Sequence, residues 1–299
     1  MRIVTRPDFD GVVCAALLSE TESITRPILW TEPNEIQNGI VSIRSGDILA
    51  NLPFHPACSL WFDHHYTNKI ETLFDGAYKI APSAAGVIYE YYRKRLQRDY
   101  GELIRETDKI DAANLSQDEV IRPEKYPYLL LSMTISGRKN SNETYWNRLV
   151  ELIRTTSIEE ILKDPEVKNR CKTVVEQNKY FKTILPGYTR MAGHVSITDF
   201  RSIEEPPPGN RFLVYSLFPK AVVSIKIRYK DPYKEKVVIG VGHSIFNRNC
   251  NVNVGLMLTR FGGGGHHGAG ACTVAASKAE KTLMTLVKIL IDNKSNEKE

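Results

Sequence analysis

Residues 2–20 read RIVTRPDFDGVVCAALLSE. Residues 2–5 have the spacing of a short strand, and residues 11–20 read as the helix behind it. Between them, Asp8-Phe9-Asp10-Gly11 sets two carboxylates two residues apart, just where strand gives way to helix. The alternation continues downstream. Residues 28–30, 47–50 and 58–62 are further strand candidates, and Ser83 caps the helical stretch SAAGVIYEYYRKRL. Strands alternating with helices predict an α/β fold built on a parallel, doubly wound sheet. Ligands of such sheets bind beyond the carboxyl ends of the strands. Asp8, Asp10 and Asp63 each come just after an apolar strand, where that rule places functional groups.

The second half changes character. Residues 115–185 read helical, and 166–185 form one long helix closed by Pro186-Gly187. Beyond it, β-branched residues recur at strand spacing over 194–199, 212–217, 221–228 and 236–241. Turn formers separate these runs: Pro206-Pro207-Pro208-Gly209, Pro219 and Asp231-Pro232. The pattern predicts a parallel-sheet domain over 1–165, a connecting helix over 166–187 and a smaller, mixed-sheet α/β domain over 188–299. That last domain closes with a glycine loop and a helix over 277–293, and KSNEKE is a frayed tail. No internal repeat interrupts this order.

With 299 residues, 42% apolar and 25% charged, the chain has the make-up of a two-domain globular protein with real cores. A formal charge of +5 suits an anionic ligand but is far from the footprint of a protein that binds long nucleic acid. The five cysteines are scattered without any C-x-x-C pair, which fits reduced thiols in a reducing compartment. The first residues lack the apolar core of a signal peptide, and no run of about 18 apolar residues occurs. A cytoplasmic protein with no membrane span is the expectation.

Several side chains carry chemistry. Paired oxygens at Asp8 and Asp10 suit a hard divalent cation, although the same D-x-D-G pattern also makes a helix-capping turn. Residues 60–69 read LWFDHHYTNK, so a buried strand ends in Asp63, His64 and His65. Imidazole added to oxygen shifts the preference from Mg²⁺ toward Mn²⁺, Fe²⁺ or Co²⁺. Asp47 follows the turn Ser45-Gly46, and Asp108 and Asp111 end a helix-like stretch; each, taken singly, also reads as a cap or a solvated face. Four glycines run from Gly262 to Gly265, ahead of His266. Such a run is conformationally costly and fits bare amides brought close to an anion; a flexible linker is the plainer alternative.

D-x-D-G, an isolated Asp, D-H-H, a later Asp and a terminal G-G-G-H in a separate domain, in that order, resemble the DHH phosphoesterase family with its DHH-associated C-terminal domain. The resemblance spans nearly the whole chain. It implies two α/β domains with the active site in the cleft between them, and hydrolysis of phosphate esters or anhydrides with two divalent ions, usually Mn²⁺, with Mg²⁺ or Co²⁺ as alternatives. Carried over by position, Asp8, Asp10, Asp47, His64 and Asp108 are metal ligands, with Asp111 the close rival of Asp108. Asp63 orients a ligand and His65 faces the phosphate. Gly263, Gly264, Gly265 and His266 hold the substrate from the second domain, with Arg248, Lys226 and Arg228 as further anion contacts. Many members carry a histidine a few residues before the first Asp; here Arg6 stands in that segment. A guanidinium cannot ligate a metal but can grip a phosphate. The implied substrate is small and phosphate-bearing: short RNA, as for a nano-RNase, or 3′-phosphoadenosine 5′-phosphate. An exopolyphosphatase or pyrophosphatase is the alternative, as is a nucleotide-binding sensor without turnover. A homodimer is compatible with this reading.

Overall fold

A computed structural model describes residues 1–135 and 142–297. The chain divides into two compact units, Met1–Leu115 with Pro123–Thr173, and Ser116–Arg122 with Val174–Glu299.

The first unit is a five-stranded sheet in the order β2-β1-β3-β4-β5, parallel throughout. Its strands are β1 (Arg2–Thr5), β2 (Leu29–Trp30), β3 (Asp47–Ala50), β4 (Leu60–Asp63) and β5 (Gly76–Tyr78). Helices α1 (Phe9–Thr21), α2 (Pro33–Gln37), α3 (Ala84–Tyr92) and α4 (Gly101–Asp111) follow the strands. Helix α1 is apolar around most of its circumference, which places it inside a fold rather than on its surface. Every residue of it from Phe9 to Leu18 is buried, and it packs between β1, α3 and α7 (Glu143–Thr155). Gly11 makes the close approach to β1 feasible, since a Cβ there would lie 2.1 Å from the Arg6 carbonyl oxygen. The remaining short helices of this region are α5 (Gln117–Ile121), α6 (Pro127–Met133) and α8 (Ile158–Ile161). The first of these belongs to the second unit, where it packs on α10 (Leu213–Leu217).

Trp61 anchors one face of the parallel sheet. It is fully buried, lies 4.8 Å from Phe74 and 5.4 Å from Phe54 in edge contacts, and stacks on Tyr78 at 5.3 Å. Its indole N–H donates to the Leu52 carbonyl at 2.9 Å, so the ring is buried with its polar edge satisfied.

Helix α9 runs Pro165–Tyr188, with Pro186 in its last turn. Beyond it, the second unit is a mixed six-stranded sheet in the order β10-β11-β9-β8-β7-β6. Strands β6 (Thr189–Ala192), β7 (Val195–Asp199), β8 (Val223–Tyr229), β9 (Lys236–His243), β10 (Gly264–His266) and β11 (Ala269–Ala275) pair antiparallel, except for β7 with β8. Alternate residues of the central strands, Ile225, Ile227, Val237, Ile239 and Val241, form the core with Leu286 and Leu290 of α12 (Ala276–Asp292). Helix α11 (Val254–Thr259) covers the β10–β11 hairpin. The strand expected over 212–217 is instead the short helix α10. The Asn210 side chain accepts from the Phe212 amide and starts the turn, and Tyr215 is bonded to Ser224 and to Gly242, so tertiary contacts override β-branched propensity.

Trp61→Ala removes the centre of the aromatic cluster and should cost about 3–5 kcal/mol. Denaturant unfolding followed by circular dichroism measures this loss.

Candidate active site

The carboxyl ends of β1, β3 and β4 meet the amino end of α3 and the last turn of α4. Asp8 caps α1: its Oδ1 accepts from the Gly11 amide at 2.8 Å and from Asn51 Nδ2 at 3.0 Å. Its Oδ2 lies 3.2 Å from Arg6 Nη1, and Arg6 also reaches Glu32 at 3.6 Å. Asp10, in the first turn of α1, is 1% exposed. Two backbone amides at the start of α3 hold it, Ala85 on Oδ1 at 2.8 Å and Ala84 on Oδ2 at 3.0 Å. Burial pushes its pKa up to about 6, against the pull of His64 and of the two amides.

His64 follows β4 directly. Its Nδ1 lies 2.9 Å from the Ala81 carbonyl oxygen. A carbonyl can only accept, so Nδ1 carries a proton, and in the neutral tautomer this leaves the lone pair at Nε2. That nitrogen is buried without a hydrogen-bond partner. It faces Asp111 Oδ2 at 3.3 Å and Asp10 Oδ2 at 3.9 Å. A lone pair aimed at two carboxylates is repulsive unless a cation or a second proton lies between them. The chemistry of the donor set, one imidazole nitrogen and two carboxylates, fits a divalent transition ion or Mg²⁺.

Asp63 and His65 form a second pair. Asp63 is fully buried; its Oδ1 bonds His65 Nδ1 at 2.8 Å and its Oδ2 accepts from Asn68 at 2.7 Å. Burial disfavours a charged His65 ring, but the hydrogen bond and charge of Asp63 outweigh it and hold the imidazole above the usual histidine range. The two histidine rings are 4.2 Å apart.

Among the described residues, two sets of three donors gather within 4.8 Å of one another, Asp10-His64-Asp111 and Asp63-His64-His65. Asp8 belongs to neither. Two positions taken from the resemblance need correction. Asp47 begins β3 opposite Arg2, at the amino end of the sheet. It accepts from Arg2 at 2.9 and 2.5 Å, from Arg26 at 3.2 Å and from the Arg44 amide at 3.0 Å. The length of β3, about 13 Å at roughly 3.3 Å per residue, separates it from the carboxyl end. There Asn51 takes the place beside Asp8, in a left-handed conformation with φ 57°. Asp108 is tied to the cap of α3, accepting from the Ser83 hydroxyl at 2.6 Å; Asp111, one turn on, is the acid against His64.

The remaining predicted residues lie in the second unit. A Cβ on Gly263 would meet the Ala271 carbonyl oxygen at 2.4 Å, and one on Gly265 the Ala269 carbonyl oxygen at 2.3 Å. These two glycines serve the packing of the hairpin. Gly264 opens on free space, and His266 and Arg248 are exposed. Lys226 is drawn over the rings of Phe181 and Phe200, 5.4 Å from each centroid.

No family model and no curated protein sequence matches the chain. Solved structures do. The pGpG-specific phosphodiesterase PggH of Vibrio cholerae is 32% identical, with a TM-score of 0.84 over 98% of this chain and 99% of that one. The DHH domain of a member of a ribosomal protein family aligns at 13% identity and TM-score 0.63, over 98% of this chain and 87% of that one. RecJ of Thermus thermophilus in complex with Mn²⁺ aligns at 11% and 0.59, over 98% of this chain and 52% of that one. The last two share the fold. The chain belongs to the DHH phosphoesterase family. No helix among the described residues is long and apolar enough to cross a membrane.

Asp47→Ala should destabilise the first unit by about 2–3 kcal/mol. Breaking a fully buried ion pair costs about 3–5 kcal/mol, and Arg2 and Arg26 keep partial access to water. Chemical denaturation measures the loss.

Proposed function

We propose that the protein is a divalent-metal-dependent phosphodiesterase acting on short ribonucleotides, with a 5′-phosphorylated guanine dinucleotide as its substrate. The observation that carries this reading is His64, whose proton is committed to Ala81 while its buried Nε2 faces Asp10 and Asp111. The choice of dinucleotide rests on the 32% identity to a pGpG-specific phosphodiesterase over nearly the full length of both chains.

Asp10, His64 and Asp111 would hold the ion, Mn²⁺ being favoured over Mg²⁺ by the imidazole. When bound, such an ion acts as a Lewis acid on a phosphoryl oxygen and lowers the pKa of a coordinated water. The protein's own groups supply the rest. The Ala84 and Ala85 amides fix both Asp10 oxygens, so the carboxylate is set before any ligand arrives. The Asp63–His65 pair offers an imidazole, its charged form favoured by Asp63, to the developing negative charge on phosphate. Taken by itself, the second unit has exposed His266 and Arg248 as candidates for anion contact. Hydrolysis of pGpG consumes one water and releases two molecules of guanosine monophosphate.

The test is turnover by Mn²⁺-loaded protein of pGpG, 3′-phosphoadenosine 5′-phosphate and polyphosphate in parallel. The dinucleotide should be hydrolysed fastest; turnover of polyphosphate alone, or tight pGpG binding with no cleavage in any divalent ion, would contradict the reading. Mn²⁺ at about a hundred times its Kd should stabilise the fold by about 2.7 kcal/mol. His64→Ala should abolish that shift in a thermal melt, whereas Asp47→Ala should keep it. Asp63→Asn should lower kcat by about 10–100-fold, as loss of an orienting partner does, with the metal-induced melt shift retained.

A further inference from the structure

Arg6 and Asn51 both engage Asp8 at the carboxyl end of the parallel sheet. Among the described residues, five buried side-chain nitrogen or oxygen atoms lack a hydrogen-bond partner, and three of them, Arg6 Nε, Asn51 Oδ1 and His64 Nε2, are at this one end of the parallel sheet. The Asn51 amide is oriented by its donation to Asp8 Oδ1 at 3.0 Å, which leaves Oδ1 as the orphan. Asp8, the carboxylate that a second ion would need, is already spent: it accepts from the Gly11 amide and from Asn51, and its other oxygen faces Arg6 at 3.2 Å.

We infer that this site holds a single divalent ion, and that the Arg6 guanidinium, seated on Asp8 beside the neutral amide of Asn51, takes the place of a second one. The inference rests on the metal reading given above. Three observations carry it. An ion on Asp8 would stand within contact distance of a group that cannot lose its proton, so the two charges would repel. The residue at the carboxyl end of β3 is an amide and brings no negative charge to bridge two cations. Arg6 also already answers the acids around it: Asp8 at 3.2 Å and Glu32 at 3.6 Å pair with it, and Asp111 and Asp10 add to the field at the guanidinium. A guanidinium built into the chain costs no binding equilibrium, and it offers a planar fork to a phosphate that an ion does not.

The measurement is metal content. Full-length protein stripped with chelator, reloaded with excess Mn²⁺ and desalted should carry one Mn²⁺ per chain by elemental analysis. Its electron paramagnetic resonance spectrum should be that of isolated Mn²⁺. Two ions per chain with an exchange-coupled spectrum would overturn the inference while leaving the metal reading intact; no retained Mn²⁺ would overturn both. The double substitution Arg6→His with Asn51→Asp should raise the content to two per chain. Asn51→Asp alone is compatible with the left-handed backbone at this position, because Asp tolerates it, and it should give a content between one and two. A folded double variant that still binds one ion would show that Arg6 and Asn51 do not exclude the second.

Discussion

The hydrogen bond from His64 Nδ1 to the Ala81 carbonyl is the constraint on which the site turns. It fixes both the tautomer and the ring plane, so the remaining nitrogen points toward Asp10 and Asp111. The same short segment does more. Ser83, two residues on, caps α3 through the Gly86 amide and binds Asp108, and the next two amides hold Asp10. One helix start therefore orients an imidazole, a carboxylate and an outer acid together. The bonds from backbone N–H to an ionised carboxylate are charge-assisted, and the positive end of α3 favours the anion, which offsets part of the cost of burying Asp10.

Local features of this arrangement were legible in the sequence. A strand, an acidic turn and a helix in immediate succession place Asp8 and Asp10 without knowledge of anything distant, and Asp63-His64-His65 closes an apolar strand in the same way. The errors came where position depends on a partner element. Asp47 precedes its apolar residues, whereas Asp8 and Asp63 follow theirs; in a parallel sheet that difference alone sends it to the opposite end. Strict use of the rule that ligands bind beyond carboxyl ends leads to Asn51, four residues later, but an asparagine after a strand reads as an ordinary turn. Asp108 and Asp111 sit one turn apart on one face of α4, and only the cap of α3 decides which of them reaches His64.

The glycine run shows a different limit. A stretch of bare residues is required both where backbone meets ligand and where backbone meets backbone, and composition does not separate the two. In the second unit the demands fall on different glycines. Gly263 and Gly265 are hemmed in by carbonyls of β11, and a Cβ on Gly255 of α11 would lie 2.4 Å from the Gly265 carbonyl oxygen. The run is therefore first a condition for seating α11 on the hairpin, and Gly264 is the residue left open to other contacts.

An anionic substrate can approach this sheet end only if its carboxylates are already answered. The structure answers them one by one. Asp63 is spent on His65 and Asn68, and it favours the charged form of the His65 ring; Asp8 is spent on Arg6, Asn51 and the Gly11 amide. Asp10 and Asp111 are turned toward His64, the one position among the described residues where an imidazole lone pair and two carboxylates converge. A cation bound there would turn that convergence into an electrophilic centre, with the Arg6 guanidinium and the His65 ring, whose charged form Asp63 favours, beside it. Asp8 and Asp63 are thus paired within the chain, Asp10 and Asp111 are left for a cation, and which acid does which follows from the strand end each one occupies.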